Sequence, residues 1–116
     1  MPTMSTPPKV SLNAVTSAQA GTAVEISRFT SNTNSLGVFL SATGSPTAVS
    51  ITVEMSPDQS TWYTLQGSTI SSTTPACQNI SIPPGANFVR VRLGTLTGGT
   101  TPTVTALVSE RFESSV

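Results

Sequence analysis

The sequence predicts an all-β fold: a single antiparallel β-sandwich of about eight strands, jelly-roll or immunoglobulin-like. Three observations carry this. The stretch 47–66, TAVSITVEMSPDQSTWYTLQ, places Val49, Ile51, Val53 and Met55 on every second residue with polar residues between them. A strand sends alternate side chains to opposite faces, so this run has one apolar and one polar face. Short runs of the same kind recur along the chain between turn signals, and no stretch has helical periodicity. Finally, Ser and Thr make up roughly a third of the 116 residues; Thr suits a pleated surface, and Ser suits turns and solvated strand faces.

Taken in order, Met1 to Pro8 is Pro-rich and reads as an N-terminal arm (1–8), because three prolines disfavour both helix and central strand. Lys9–Val15 alternates Val10 and Leu12 with polar residues. Thr22–Phe29 turns Val24 and Ile26 inward and Glu25 outward. Thr30–Ser35 reads as a turn-rich link, and Leu36–Thr43 carries Leu36, Val38 and Leu40 on one face with Phe39 opposite. After Gly44-Ser45-Pro46 comes the hairpin of 47–66, broken at Ser56-Pro57-Asp58-Gln59. Trp62, the largest apolar side chain, is expected in the core, and Tyr63 as a partly exposed contact residue.

Gly67–Pro75 reads as a polar loop around Ile70. Ala76–Ile82 forms another strand, stopped by Pro83-Pro84-Gly85. Asn87–Leu93 is the cleanest alternation, with Val89, Val91 and Leu93 inward and Arg90 and Arg92 outward. Gly98-Gly99 turns the chain into Thr103–Ser109, the last strand of a sandwich domain spanning 9–109, with 110–116 as a tail. Two packed sheets are the natural way to cover so many half-apolar strands.

The composition excludes several functions. Net charge is zero and only 9% of residues are charged, so the chain has no bulk attraction for nucleic acid or an anionic membrane. The absence of histidine removes the commonest general base and metal ligand, together with every His-assisted nucleophile. Glu25, Glu54 and Asp58 read as solvated surface carboxylates; a glycosidase would need two of them facing across a cleft. No dense acidic loop offers the oxygens calcium requires. The single Cys77 excludes an intrachain disulfide and a C-x-x-C site, and is expected as a small buried residue. Neither a secretory leader nor a membrane span is legible, which implies synthesis and assembly in a cytoplasm. The expectation is a protein without enzymatic activity, cofactor or metal.

The segments SPTAVSITVEMSPDQSTWYTL and NFVRVRLGTLTGGTTPTVTALVS resemble a group of small virion proteins of tailed bacteriophages. The likeness runs through Glu54-Met55, the turn 56–60, Thr61-Trp62, the alternation Phe88–Arg92, the Leu96–Gly99 turn and the closing run Val104–Leu107. It spans about residues 45–109 and includes no catalytic motif. The group commonly has Asp-Gly where this chain has Asp58-Gln59, so a positive φ at the second of these positions is not expected, and Pro57 points to another turn geometry.

The resemblance implies a β-sandwich that serves as a capsid decoration (cement) protein. Such a protein sits on the virion surface, bound to the major capsid protein, and is expected as a homotrimer with possible contacts to other virion proteins. The alternative it implies is a tail, neck or fibre module that binds host surface glycan or connects virion parts. Candidate interface residues are Pro2, Pro7, Pro8, Tyr63, Ile70, Arg90 and Arg92.

Overall fold

The computed structural model describes residues 3–5, 9–26, 31–82 and 86–114. Among these there is no helix. The strands are β1 (Thr3–Ser5), β2 (Lys9–Val15), β3 (Gln19–Ala20), β4 (Val24–Glu25), β5 (Ser31–Thr43), β6 (Ala48–Ser56), β7 (Tyr63–Thr64), β8 (Ile70–Ser71), β9 (Ala76–Ser81), β10 (Phe88–Thr97) and β11 (Thr103–Ser114).

Two antiparallel sheets pack face to face. In the first, β2 and β1 lie along one side of β11, followed by β5 and then β9. In the second, β3 and β4 lie along β10, followed by β6, with β7 and β8 along its far side. Merging the short collinear pieces leaves two four-stranded layers, β2-β11-β5-β9 and β3/β4-β10-β6-β7/β8. That order is the jelly roll's, which resolves the choice periodicity leaves open.

The core lies between the layers and is aliphatic. Leu12, Leu36, Val38, Ile51, Val53, Val89, Val91, Val104 and Ala106 have no exposed surface. Their alternation in sequence is what buries them: each comes from the inward parity of its strand. Trp62 departs from expectation, being only half-buried and outside this cluster. Branched aliphatic side chains fill the slot between the sheets, and the indole lies elsewhere, as described below.

Polar side chains hold two joints together. Ser11 is buried on β2, next to Leu12, and its hydroxyl accepts the Val91 amide of the opposite sheet at 2.9 Å while donating to the Thr22 carbonyl at 3.0 Å. The β2–β11 register shifts at this point, so Val10, expected inward, is 47% exposed. Ser68, fully buried, lies between β7 and β8. Its hydroxyl accepts the Val53 amide at 3.0 Å and donates to the Leu65 carbonyl at 2.6 Å, filling a gap in the edge of β6.

At one end of the sandwich the turn after β5 meets the turn after β10, with the Thr100 amide donating to the Gly44 carbonyl at 2.8 Å. Gly99 has φ +76°, and a Cβ there would lie 2.3 Å from that same carbonyl oxygen. Glycine is required at this position by both its conformation and the close approach.

Several element boundaries differ from expectation. Residues 31–35, expected as a link, extend β5, while 110–114 of the expected tail extend β11; the two pair with each other. Thr3–Ser5 of the expected arm pairs with Arg111–Glu113. Polar side chains carry little strand signal by period, and these strands are held by their ladders instead. β10 continues past Leu93 through a bulge at Gly94, a residue without a side chain to misplace. Residues 27–30, including Arg28, and 83–85 lie outside the described residues.

Candidate interaction surfaces

The sandwich presents two outer faces of different chemistry. On the β6–β10 sheet, Glu54 and Arg90 are direct cross-strand neighbours, and the next pair is Thr52 with Arg92. Arg90 Nε donates to Glu54 Oε1 at 2.7 Å, and Arg92 Nη1 lies 3.9 Å from the same oxygen. Trp62 follows the turn after β6, and its ring lies under the Arg90 guanidinium at 4.1 Å. An arginine stacked on an indole and bonded to a carboxylate has its planar group engaged on both its face and its edge.

This cluster corrects two expectations. Glu54 is not a solvated carboxylate; it is 9% exposed. Trp62 is not the core pin but the cover of this ion pair. Of the two outward arginines expected at an interface, Arg90 is engaged by Glu54 and Trp62, and Arg92 is about half exposed and weakly paired. The missed signal was the pairing of β6 with β10: each strand shows its charge on its outward parity, but nothing within either stretch says the two are neighbours.

The turn 56–61 frames the cluster. Ser56 Oγ accepts the amides of Asp58 and Gln59 at 3.2 and 2.8 Å, and Asp58 Oδ1 accepts those of Ser60 and Thr61 at 2.9 and 3.1 Å. These amide donors, joined by the Ser56 hydroxyl at 3.0 Å, hold the Asp58 carboxyl below its ordinary pKa. Gln59 adopts φ +64°, so the positive φ that Asp-Gly would supply is present here on a glutamine. The local hydrogen bonds stabilise what the side chain disfavours.

The outer face of the β11–β5 sheet is partly apolar around the middle of its strands. Strand register lines up Val10, Leu107, Phe39 and Cys77 across β2, β11, β5 and β9. Val10 and Phe39 are 47% and 41% exposed, and Cys77 is exposed rather than buried as expected. Beside this row, Phe39, Ser41, Pro75, Ala76, Cys77 and Leu107 line an open groove of about 330 Å³.

Of the expected interface residues, Tyr63 is 61% exposed at the edge of β7. Ile70 is not available for contact: it is 6% exposed and belongs to the core, because Ile70 pairs with Ile51 on the inward parity of β6. Pro2, Pro7 and Pro8 lie outside the described residues. Among the described residues, no three His, Cys, Asp or Glu side chains gather in a group that could hold a metal.

These features define a jelly-roll β-sandwich with two broad outer faces, one charged and internally paired, the other partly apolar. No family model matches the chain, and no curated protein matches it in sequence. The crystal structure of the SPBc2 prophage-derived protein YomS is similar, with a TM-score of 0.67 over 96% of this chain and 96% of that one, at 18% sequence identity. At that identity the two share a fold over 96% of each chain.

Proposed function

We propose that this protein is a non-enzymatic structural component of a bacteriophage particle, and that it acts by adhesion. The observation that carries the proposal is the likeness of fold to a prophage-derived protein over 96% of each chain, to which the virion-like sequence pattern of 45–109 adds. The site chemistry agrees with adhesion. Glu54 and Arg90 neutralise each other, and Asp58 is engaged by its own turn, so neither carboxylate is presented to a substrate.

In its finer form, the proposal is a capsid decoration (cement) protein bound to the major capsid protein on the head surface, as trimers at three-fold positions. Each copy would bridge neighbouring capsid subunits, so many weak contacts add to one strong attachment. The row Val10, Leu107, Phe39 and Cys77 is uncharged and suited to the core of a contact with a flat protein surface, where charged residues are depleted. A second reading, a tail or fibre module that binds host glycan, is favoured by the exposed Tyr63 next to the half-buried Trp62.

The test is to prepare heads of the encoding phage with the gene deleted and add back purified protein. The cement reading predicts saturable binding to heads and raised resistance to heat or denaturant. Failure to bind heads, with binding to isolated tails or host polysaccharide, would replace it with the second reading.

A further inference from the structure

β9 is an edge strand without the usual protection. Its inner edge pairs with β5 in continuous register from Ser35↔Ser81 to Leu40↔Ala76, and among the described residues nothing pairs with its outer edge. The strand reads ACQNIS: it has no charge, no proline and no bulge. Natural edge strands are usually blunted by one of these, because their free amide and carbonyl groups recruit another strand. Gln78 faces inward by parity yet is exposed, so the opposite sheet does not cover this edge. The neutral groove at Phe39, Pro75 and Cys77 ends on the same strand.

We propose that the outer edge of β9 is an interface with a second copy of this chain, in which two β9 strands pair antiparallel about a two-fold axis. Two considerations select a second copy. First, the edge and its groove carry no charge, whereas the opposite outer face carries Glu54, Arg90 and Arg92; a neutral edge is complemented by a neutral strand, and β9 is one. Second, the strand is self-complementary. A two-fold centred on Gln78 or on Asn79 matches outward residues with outward residues and keeps both apolar faces in line, as pairing requires. The two sheets then join, and the groove beside Cys77 is flanked by the second copy.

A six-residue strand spans about 20 Å, a contact at or below the ~1,200 Å² of stable specific interfaces. The pair is therefore weak in free solution and strengthens where copies are held side by side on a surface. It would join copies of neighbouring trimers in the proposed assembly, but it depends only on β9. Failure of self-pairing in the free protein leaves the proposed function standing, and failure to bind heads leaves this contact standing.

The test is sedimentation of the purified protein from micromolar to millimolar concentration, with two variants. The wild type is expected to pass reversibly from monomer to dimer in that range. Asn79→Lys, which places like charges near the axis in either register, raises the dissociation constant about tenfold or more. Asn79→Cys, with Cys77 retained, puts a thiol opposite Asn79→Cys or Cys77 of the second copy, within the 4.4–6.8 Å Cα span of a disulfide. Mild oxidation should link it into dimers much faster than the wild type, whose Cys77 residues are offset from each other in both registers. Asn79 is exposed on the edge, and circular dichroism checks that both variants fold; if Asn79→Lys does not, the crosslinking arm decides. A wild type that stays monomeric throughout, an Asn79→Lys variant that associates as the wild type does, or an Asn79→Cys variant that crosslinks no faster would each overturn the proposal.

Discussion

Truncating either partner of the Glu54–Arg90 pair separates its contribution from that of simple charge. Arg90→Ala leaves a carboxylate that is 9% exposed without its 2.7 Å donor and uncovers the Trp62 ring. The expected loss is about 1–3 kcal/mol in urea unfolding, the cost of leaving a buried group unsatisfied. The double variant Glu54→Gln/Arg90→Ala should recover part of that loss, because the orphaned charge is gone. Strictly additive losses would place the two side chains outside one network. Asp58 acts through pH. Its carboxyl is held below the ordinary value of 3.8, so its contribution is fully present above that pH and fades as pH falls through the lowered value. The melting-temperature gap between wild type and Asp58→Asn should be largest near neutrality and close in stronger acid. A gap unchanged by acid would show that the amide donors do not favour the charged form.

Strand pairing sets the consequences at the next scale. Ser68→Ala withdraws the acceptor of the Val53 amide at the break between β7 and β8, at a cost of about 1–3 kcal/mol, and amide exchange should rise first at Val53. Two of the positive-φ glycines, Gly99 and Gly67, make a paired test. A Cβ on Gly99 meets the Gly44 carbonyl, whereas a Cβ on Gly67 meets nothing within 4 Å. Gly67→Ala should therefore cost only the backbone penalty, about 1 kcal/mol, and Gly99→Ala considerably more. Equal losses at the two sites would remove the argument that the turns interlock.

The same scale shows what the sequence revealed. The inward parity of 49–55 and 89–93 was legible because burial imposes a period of two. The extensions at 31–35 and 110–114 were not, since polar residues held by their ladders leave no such trace. By its size, Trp62 is expected in the core. Its place over Arg90 depends on which strands are neighbours, and that is decided by contacts far apart in sequence. Cys77, exposed, and Ile70, in the core, differ from expectation for a related reason: the inward parity of a short strand cannot be read until its partner is known.

For the whole molecule, the jelly roll supplies a slab with two outer faces and an edge at β9 that nothing among the described residues pairs with. The proposed function is attachment through these surfaces. The most direct measurement is the amount of this chain in purified particles of the encoding phage, relative to the major capsid protein. The cement reading predicts comparable copy numbers, with heads that rupture more readily once the protein is removed. Absence from the particle would contradict the virion assignment, and a few copies confined to the tail would contradict its placement on the head.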